Sequence, residues 1–532
     1  MKIPETAVRV DQQAIDAVFA DLDQCQLPGA AVGIALGGIP VYRKGFGLAS
    51  LELPVVLSPS IRMRVGSVTK HFTALVYLLL CEEGRAALDD PLGKFLPELH
   101  PVTHSITLRQ LMGHVSGLRD ACNYRFQFSG IDGPRASTAE LLTLYRDIED
   151  CVAAPGTTWM YSNGGYVLLG SVIERITGLP LERVMRERIF EPAGMHDTTL
   201  RYWDTDFLAN SASPHMTNGG GGFERASWGL NFAGGGALVS TVNDMLRWMA
   251  QWDAPVVGSK ESWNALRTPL ELLNGSSTGY GFGLISTRYR GIDTIYHPGG
   301  WLGANAQMIK VPAARLDVIV MVNRHDVMAP ELADRILDAC LPDLQSVTPA
   351  APAVIGTYRS PLTGRVVQLF DRNGLQIASV DGYDYPMAMD EAGVLRVSGY
   401  AKFIKQSISL GGESTGPRSI RFDDFGTVDT LDAVNAPDNI ELAPIVGRYR
   451  SDATRTEAEV VVESGKPRLI TRNRFGQMVF DDLRCLAPGT WLARPGGGVA
   501  EWFSFIVHFN PQGAQLRSCA IGPNSLPLRR TA

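Results

Sequence analysis

Lysine is scarce in this chain of 532 residues, with nine in all, against nine histidines and seven cysteines. The cysteines (25, 81, 122, 151, 340, 485 and 519) are odd in number, far apart and include no C-x-x-C pair. Neither a disulfide framework nor a thiolate metal knuckle is therefore expected, and the thiols read as free ones in a reducing compartment. The histidines are scattered and form no H-E-x-x-H, so no metal and no other cofactor is expected. Long apolar runs are also missing. The longest, Ala74 to Cys81, has eight residues, against roughly 18 needed to cross a bilayer. The first 25 residues break every apolar stretch with a charge or an amide, which leaves no secretory h-region and makes a cytoplasmic location without a membrane partner the expectation. Positive charge is not in excess either: 49 Lys and Arg face 55 Asp and Glu, a net charge of −6. Nothing in that balance would hold a phosphate backbone, and nucleic acid is not an expected partner.

What remains is a globular composition long enough for two to four domains, since single cores stop growing near roughly 250–300 residues. Residues 10 to 345 alternate helix-like and strand-like stretches, whereas the text after 350 is short strands and turns. Ser346 to Pro352, SVTPAAP, cannot continue a helix and suits a linker. We divide the chain into 1–345, 353–440 and 441–532. The last two parts echo each other: Gly356-Thr357-Tyr358-Arg359-Ser360 recurs 91 residues later as Gly447-Arg448-Tyr449-Arg450-Ser451. An alternating apolar segment and a turn follow each copy. Hairpins with no helix to cover them close most economically into antiparallel barrels, which leave no open edge.

Three segments carry chemistry. The first, Arg64-Val65-Gly66-Ser67-Val68-Thr69-Lys70, enters the most apolar helix of the chain, which Glu82-Glu83-Gly84 ends. Lys70 alone among the nine lysines has a serine three residues before it. On one helical face it can reach the Ser67 hydroxyl, and an apolar setting lowers an ammonium toward neutrality, so that the amine can accept the serine proton. As an ordinary feature, the pair would be a capping serine beside a snorkelling lysine. The second segment, Tyr161-Ser162-Asn163, is a short extended piece before the helix YVLLGSVIERITG. Tyr161 could relay protons there and Asn163 could orient a substrate amide. The third, Tyr296-His297-Pro298-Gly299-Gly300, belongs to a strand whose glycines permit close backbone approach and whose N–H groups could bind an oxyanion, with the His297 imidazole polarising the same intermediate.

In this order and spacing, Ser67-Val68-Thr69-Lys70, Tyr161-Ser162-Asn163 and His297-Pro298-Gly299 resemble the three motifs of the penicillin-recognising serine hydrolases. The resemblance is to the branch with a tyrosine second motif and a His-x-Gly third motif, which holds class C β-lactamase-like esterases, D-stereospecific carboxypeptidases and D-aminopeptidases. Supporting phrases are similar as well: ITLRQLMGHVSGL (106–118), RERIFEPAGM (186–195), FAGGGALVSTVNDMLRW (232–248) and GYGFGL (279–284). One long hydrolase domain followed by two β-modules most resembles the D-aminopeptidases. The resemblance implies a mixed α/β domain, an antiparallel sheet flanked by helices, followed by two barrels of eight-stranded type. It also implies a loop of the last barrel entering the cleft, here Asn473 to Asp482, with Gly476 matching and Asp481 or Asp482 standing for the acid that would meet a substrate amine. The modules would restrict the cleft or make an interface, which leaves a homodimer open.

The implied mechanism is acylation of Ser67, with Lys70 and Tyr161 sharing the base and acid roles, Asn163 orienting the substrate, and N–H groups of Ser67 and of Gly300 or Trp301 binding the oxyanion. A neutral imidazole in place of the lysine of related third motifs, and Pro298 in place of threonine, disfavour a substrate carboxylate and favour a neutral or amine-bearing peptide, amide or ester. Three other readings compete. An esterase for short acyl esters would use the same residues, and a module of this fold that had lost its chemistry would not need them intact. Gly275-Ser276-Ser277-Thr278-Gly279 formally matches a nucleophile elbow, yet lacks the strand before it and the helix after it.

Overall fold

The computed structural model describes residues 8–129, 135–342, 344–345, 353–411, 418–496, 504–518 and 524–531. The expected linker, Ser346 to Pro352, lies outside the described residues.

The N-terminal region is built on a six-stranded antiparallel sheet. Its strands are β1 (Ala30–Leu36), β2 (Ile39–Phe46), β3 (Ile285–Tyr289), β4 (Ile292–Trp301), β5 (Ala304–Val311) and β6 (Leu316–Val322), in the order β3-β4-β5-β6-β1-β2. Every residue of β5 and β6 is buried, while the edge strand β2 shows most of its first half to solvent. A strand so buried has helices on both faces. Successive side chains of β6 point opposite ways, and the packing follows that period. Val318, Val320 and Val322 join the core that contains α1 (Gln12–Val18) and α6 (Ala329–Cys340), whereas Ile319 and Met321 join the core of α5 (Val242–Ala250). Gly33 of β1 lets α5 come close, since a Cβ there would stand 2.5 Å from Val242.

A helical layer carries the first two motifs. Helix α2 (Thr69–Glu82) is buried on nearly all sides, as its continuous apolar sequence requires. It packs against α4 (Asn163–Thr177). Ser162 caps α4 by accepting the Gly165 N–H at 3.0 Å, a contribution of about 1 kcal/mol, and Gly178 in a left-handed conformation (φ 70°) ends it.

Two antiparallel barrels follow. The first is closed, with eight strands from Gly356–Arg359 to Thr427–Ala433 and Tyr358 of the first strand paired with Ala433 of the last. The second has nine strands rather than eight. Among them are β7 (Lys466–Asn473), β8 (Gly476–Phe480) and β9 (Asp482–Ala487), and β8 and β9 are the two ends of the strand order. Only Asp481 separates these two in the chain, so the extra strand is one barrel strand bent into two pieces. The sequence echo is a structural one, because Tyr358 pairs with Val367 and Tyr449 with Ala458, the same register 91 residues apart. Both tyrosines are buried.

Asn473 to Asp482 is not a free loop. Asn473 pairs with Gly476, so the chain turns back after two residues and β7 and β8 form a tight hairpin. Gly476 has φ 140°, which suits glycine. Asp481 pairs with Arg468 at 2.6 Å and Asp482 is exposed. No hydrogen bond or ion pair among the described residues joins Gly476, Asp481 or Asp482 to the three motifs. The hairpin instead braces α3 (Ala121–Ser129). Tyr124 of that helix donates to the Thr454 carbonyl of the second barrel at 3.1 Å, and Arg474 pairs with Asp147 at 2.9 Å.

Candidate active site

Ser67 lies in a single 3-10 turn, Gly66–Val68, that runs directly into α2. It is the one residue between Met63 and Leu78 that is not buried. Gly66 has φ 51°, and a Cβ on it would fall 2.5 Å from the Gly300 carbonyl oxygen. One residue back along β4, a Cβ on Gly299 would fall 1.8 Å from the Val65 carbonyl oxygen. These two glycines let β4 lie against the serine turn, backbone to backbone. Gly300 is exposed and nothing stands within 4 Å of where its Cβ would be, so this end of β4 faces open space beside the serine turn.

Lys70 is wholly buried. Its Nζ is 3.0 Å from Ser67 Oγ, 2.8 Å from Asn163 Oδ1 and 2.7 Å from the Gly235 carbonyl oxygen. Burial brings its pKa down to about 7, with the negative charge of Asp120 acting in the opposite direction. A neutral amine has two N–H bonds and one lone pair. Asn163 Oδ1 and the Gly235 carbonyl can only accept, so they take the two N–H bonds and the lone pair is left for the Ser67 proton.

Tyr161 is buried, has a phenol on which the Ser67 hydroxyl acts, and places its ring 4.7 Å from Lys70 Nζ. Burial drives the phenol far above its ordinary range, so it stays a neutral O–H that can give a proton and take one back. Asn163 begins α4 and is held from behind by Asp120. Asp120 Oδ2 accepts the Asn163 N–H at 2.7 Å, and Oδ1 accepts the N–H groups of Gly164 (3.0 Å), Cys122 (2.8 Å) and Asn123 (3.3 Å). This buried carboxylate is thus tied to the starts of both α3 and α4. Burial raises its pKa and these N–H bonds oppose the rise.

The fold therefore brings Ser67, Lys70, Tyr161 and Asn163 together, with Gly299 and Gly300 beside them. His297 differs from expectation. Its ring is buried, Nε2 is 2.9 Å from the Tyr280 hydroxyl and Nδ1 is 2.6 Å from the Pro298 carbonyl oxygen. With both ring nitrogens engaged inside the protein, the imidazole has none left to polarise a substrate, and its strand offers backbone N–H groups alone. Burial and the neighbouring Lys70 lower its pKa to about 3, so it is neutral. The end of the strand is held by Trp301, whose Nε1 donates to Asp204 at 3.1 Å and whose ring lies 4.1 Å from the buried guanidinium of Arg64.

Asp120, Gly235, His114 and Tyr280 were not singled out from the sequence. Gly235, His114 and Tyr280 lie inside the recurrent phrases 232–248, 106–118 and 279–284, and Asp120 follows the second of these by two residues. Those phrases were the available signal. The nucleophile-elbow alternative finds no support: among the described residues no strand leads into Ser277, and the next element after it is β3 rather than a helix. No cluster of three potential metal ligands occurs among the described residues, and no helix there is long and apolar enough to cross a membrane.

A serine and a lysine on one turn, a tyrosine and an asparagine at the next helix, and a glycine strand closing the cleft define a class, and the chain belongs to it: residues 15–341 match the Beta-lactamase family. The relatives narrow the comparison. The chain is 26% identical over 473 residues to a D-aminopeptidase of Cereibacter sphaeroides and 27% identical over 481 residues to a D-aminopeptidase of Brucella canis, each alignment covering 87% of both chains. Both alignments are too long to stop at residue 341, so they extend into the barrels. In fold the chain is similar to an octameric penicillin-binding protein homologue from Pyrococcus abyssi, with TM-score 0.57, 22% identity, 80% of this chain and 100% of that one. It is also similar to the D-amino acid amidase of Ochrobactrum anthropi SV3, with TM-score 0.51, 24% identity, 62% of this chain and 97% of that one.

Proposed function

We propose that this protein is a cytoplasmic serine hydrolase that releases N-terminal D-amino acids from small peptides and amides through an acyl-enzyme on Ser67. The observation that carries the reading is the 3.0 Å contact between Ser67 Oγ and a fully buried Lys70 whose pKa lies near 7. Lys70 takes the serine proton as Oγ attacks the substrate carbonyl, and as the C–N bond breaks Tyr161 gives its proton to the leaving amine and is reprotonated from the Lys70 ammonium, so that both groups end neutral. Water then attacks the ester, with the same groups working in reverse. Asn163, its Oδ1 held by Lys70, has its Nδ2 hydrogens to offer the substrate carbonyl. The oxyanion is received by the Ser67 N–H and by the backbone at Gly300 and Trp301.

The substrate class rests on two supports. The curated relatives that share the barrels are named D-aminopeptidases, and the neutral, buried His297 supplies no positive charge for a substrate carboxylate. The reading keeps the division into 1–345, 353–440 and 441–532, and it needs no cofactor. A second reading, an esterase for short acyl esters, uses the same residues and is favoured by the position of Asp481 and Asp482, neither of which is bonded into the site. The test is hydrolysis of D-Ala-p-nitroanilide, L-Ala-p-nitroanilide and p-nitrophenyl butyrate by the wild type and by Ser67→Ala. Cleavage of the D-amide that depends on Ser67 is expected. Cleavage of the ester alone moves the protein to the second reading, and activity unchanged in Ser67→Ala overturns both.

A further inference from the structure

Behind the second and third motifs four hydrogen bonds run in one line. The Ser162 N–H donates to His114 Nδ1 at 3.0 Å. His114 Nε2 is 3.1 Å from the Tyr280 hydroxyl, Tyr280 is 2.9 Å from His297 Nε2, and His297 Nδ1 is 2.6 Å from the Pro298 carbonyl oxygen. All three side chains are buried. One end of the line is a backbone N–H, which can only donate, and the other is a backbone carbonyl, which can only accept.

The two ends fix every proton between them. His114 accepts at Nδ1, so as a neutral imidazole it carries its proton on Nε2 and donates it to Tyr280. Pro298 accepts, so His297 carries its proton on Nδ1 and presents a bare Nε2. The Tyr280 hydroxyl therefore receives from His114 and donates to His297, and the whole line has a single sense. Burial lowers the pKa of both imidazoles, consistent with the neutral forms. Tyr166 is the other hydroxyl acting on Tyr280; its own proton goes to the Met112 carbonyl at 2.9 Å, so it can only accept there, and the Tyr280 hydroxyl makes its 2.9 Å bond to His297 Nε2 instead.

The backbone atoms so joined are not arbitrary. Ser162 stands between Tyr161 and Asn163, and Pro298 directly precedes Gly299, Gly300 and Trp301. The middle of the line also walls Tyr161, whose ring centroid is 4.3 Å from that of His114 and 6.3 Å from that of Tyr280. Separate parts of the chain, a helical layer and a sheet edge, are thereby tied at one spacing.

We propose that His114 and Tyr280 are positioning residues, which with His297 form a one-way hydrogen-bond line that sets the distance between Tyr161–Asn163 and the oxyanion-binding strand. The inference rests on the function proposed above for Ser67. Neither residue touches substrate. Their effect falls on donors used most strongly in the transition state, so losing the line lowers kcat more than it changes KM.

The experiment has two arms on the full-length protein. Long-range proton–nitrogen correlation spectra of histidine labelled with nitrogen-15, assigned with His114→Gln and His297→Gln, read the tautomers directly. His114 protonated on Nε2 and His297 on Nδ1 is the expected result, and the opposite tautomer at either ring overturns the proposal. This arm needs no activity and no Tyr280 variant. The second arm compares Tyr280→Phe with the wild type in kcat, KM and the rate at which a fluorophosphonate probe labels Ser67. Labelling and kcat should both fall about tenfold or more with KM within about twofold. Unchanged labelling beside the expected tautomers reduces the line to a structural feature and overturns its positioning role. A wild type whose Ser67 is not labelled at all refutes the proposed function instead, a result the spectra keep distinct.

Discussion

Asp120 Oδ2 accepts the backbone N–H of Asn163 at 2.7 Å, so one buried carboxylate both holds the residue that holds Lys70 and acts on the charge of Lys70 itself. Its negative charge favours the ammonium form. Asp120→Asn removes that charge and lowers the Lys70 pKa, so the midpoint of the acid limb of kcat/KM should move below about 7. The amide also sets an NH₂ or a weaker acceptor against N–H groups of Cys122, Asn163 and Gly164, which should cost about 1–3 kcal/mol in denaturant unfolding. A midpoint that rises instead contradicts the assignment.

In the wild type, Lys70 must be neutral to accept the serine proton, and its pKa stands near 7. Below that value the amine is protonated and acylation slows by about tenfold per pH unit; above it the rate is flat until another group titrates. The Tyr161 phenol is pushed up rather than down, so it supplies no second limb near neutrality. A pH profile of kcat/KM with a saturating substrate series checks both statements.

Tyr161→Phe separates leaving groups. An amine must be protonated to depart, whereas p-nitrophenolate leaves as an anion, so the variant should lose about 10²-fold or more on D-Ala-p-nitroanilide and far less on p-nitrophenyl butyrate. Equal losses on both would assign Tyr161 to serine activation and not to proton donation.

Gly299 and Gly300 are adjacent and should respond in opposite ways. A Cβ on Gly299 meets the Val65 carbonyl oxygen at 1.8 Å, and backbone cannot give way there without displacing the Ser67 turn, so Gly299→Ala should cut kcat about 100-fold or more. Nothing stands within 4 Å of a Cβ on Gly300, and Gly300→Ala should keep activity within a few fold. Parallel kinetics and thermal unfolding of the two variants decide it.

Local pattern made much of this molecule readable. The S-x-x-K spacing is a helical relation, so Ser67 and Lys70 could be paired from sequence, and the apolar run of α2 already implied a buried lysine. The 91-residue echo gave two barrels, because a buried tyrosine opening a strand recurs in the same register. Asn473 to Asp482 reads as a loop in the sequence and is a hairpin in the structure, since whether a short turn extends or folds back on itself depends on pairing partners that the segment alone does not display.

The sequence by itself determined which residue types stand three apart, where the helix after Ser67 ends and where helices give way to short strands and turns, for these follow from periods of 3.6 and 2 and from capping chemistry. Tertiary structure alone decided that Asp120 sits behind Asn163, that the Gly235 carbonyl completes the lysine's shell, and that His297 turns both nitrogens inward. The contacts of Asp120 and Lys70 join positions 43 and 165 residues apart, and His297 reaches Tyr280, itself bonded to His114 a further 166 residues away. Their geometry depends on how a helical layer packs against a sheet, and no local period encodes it.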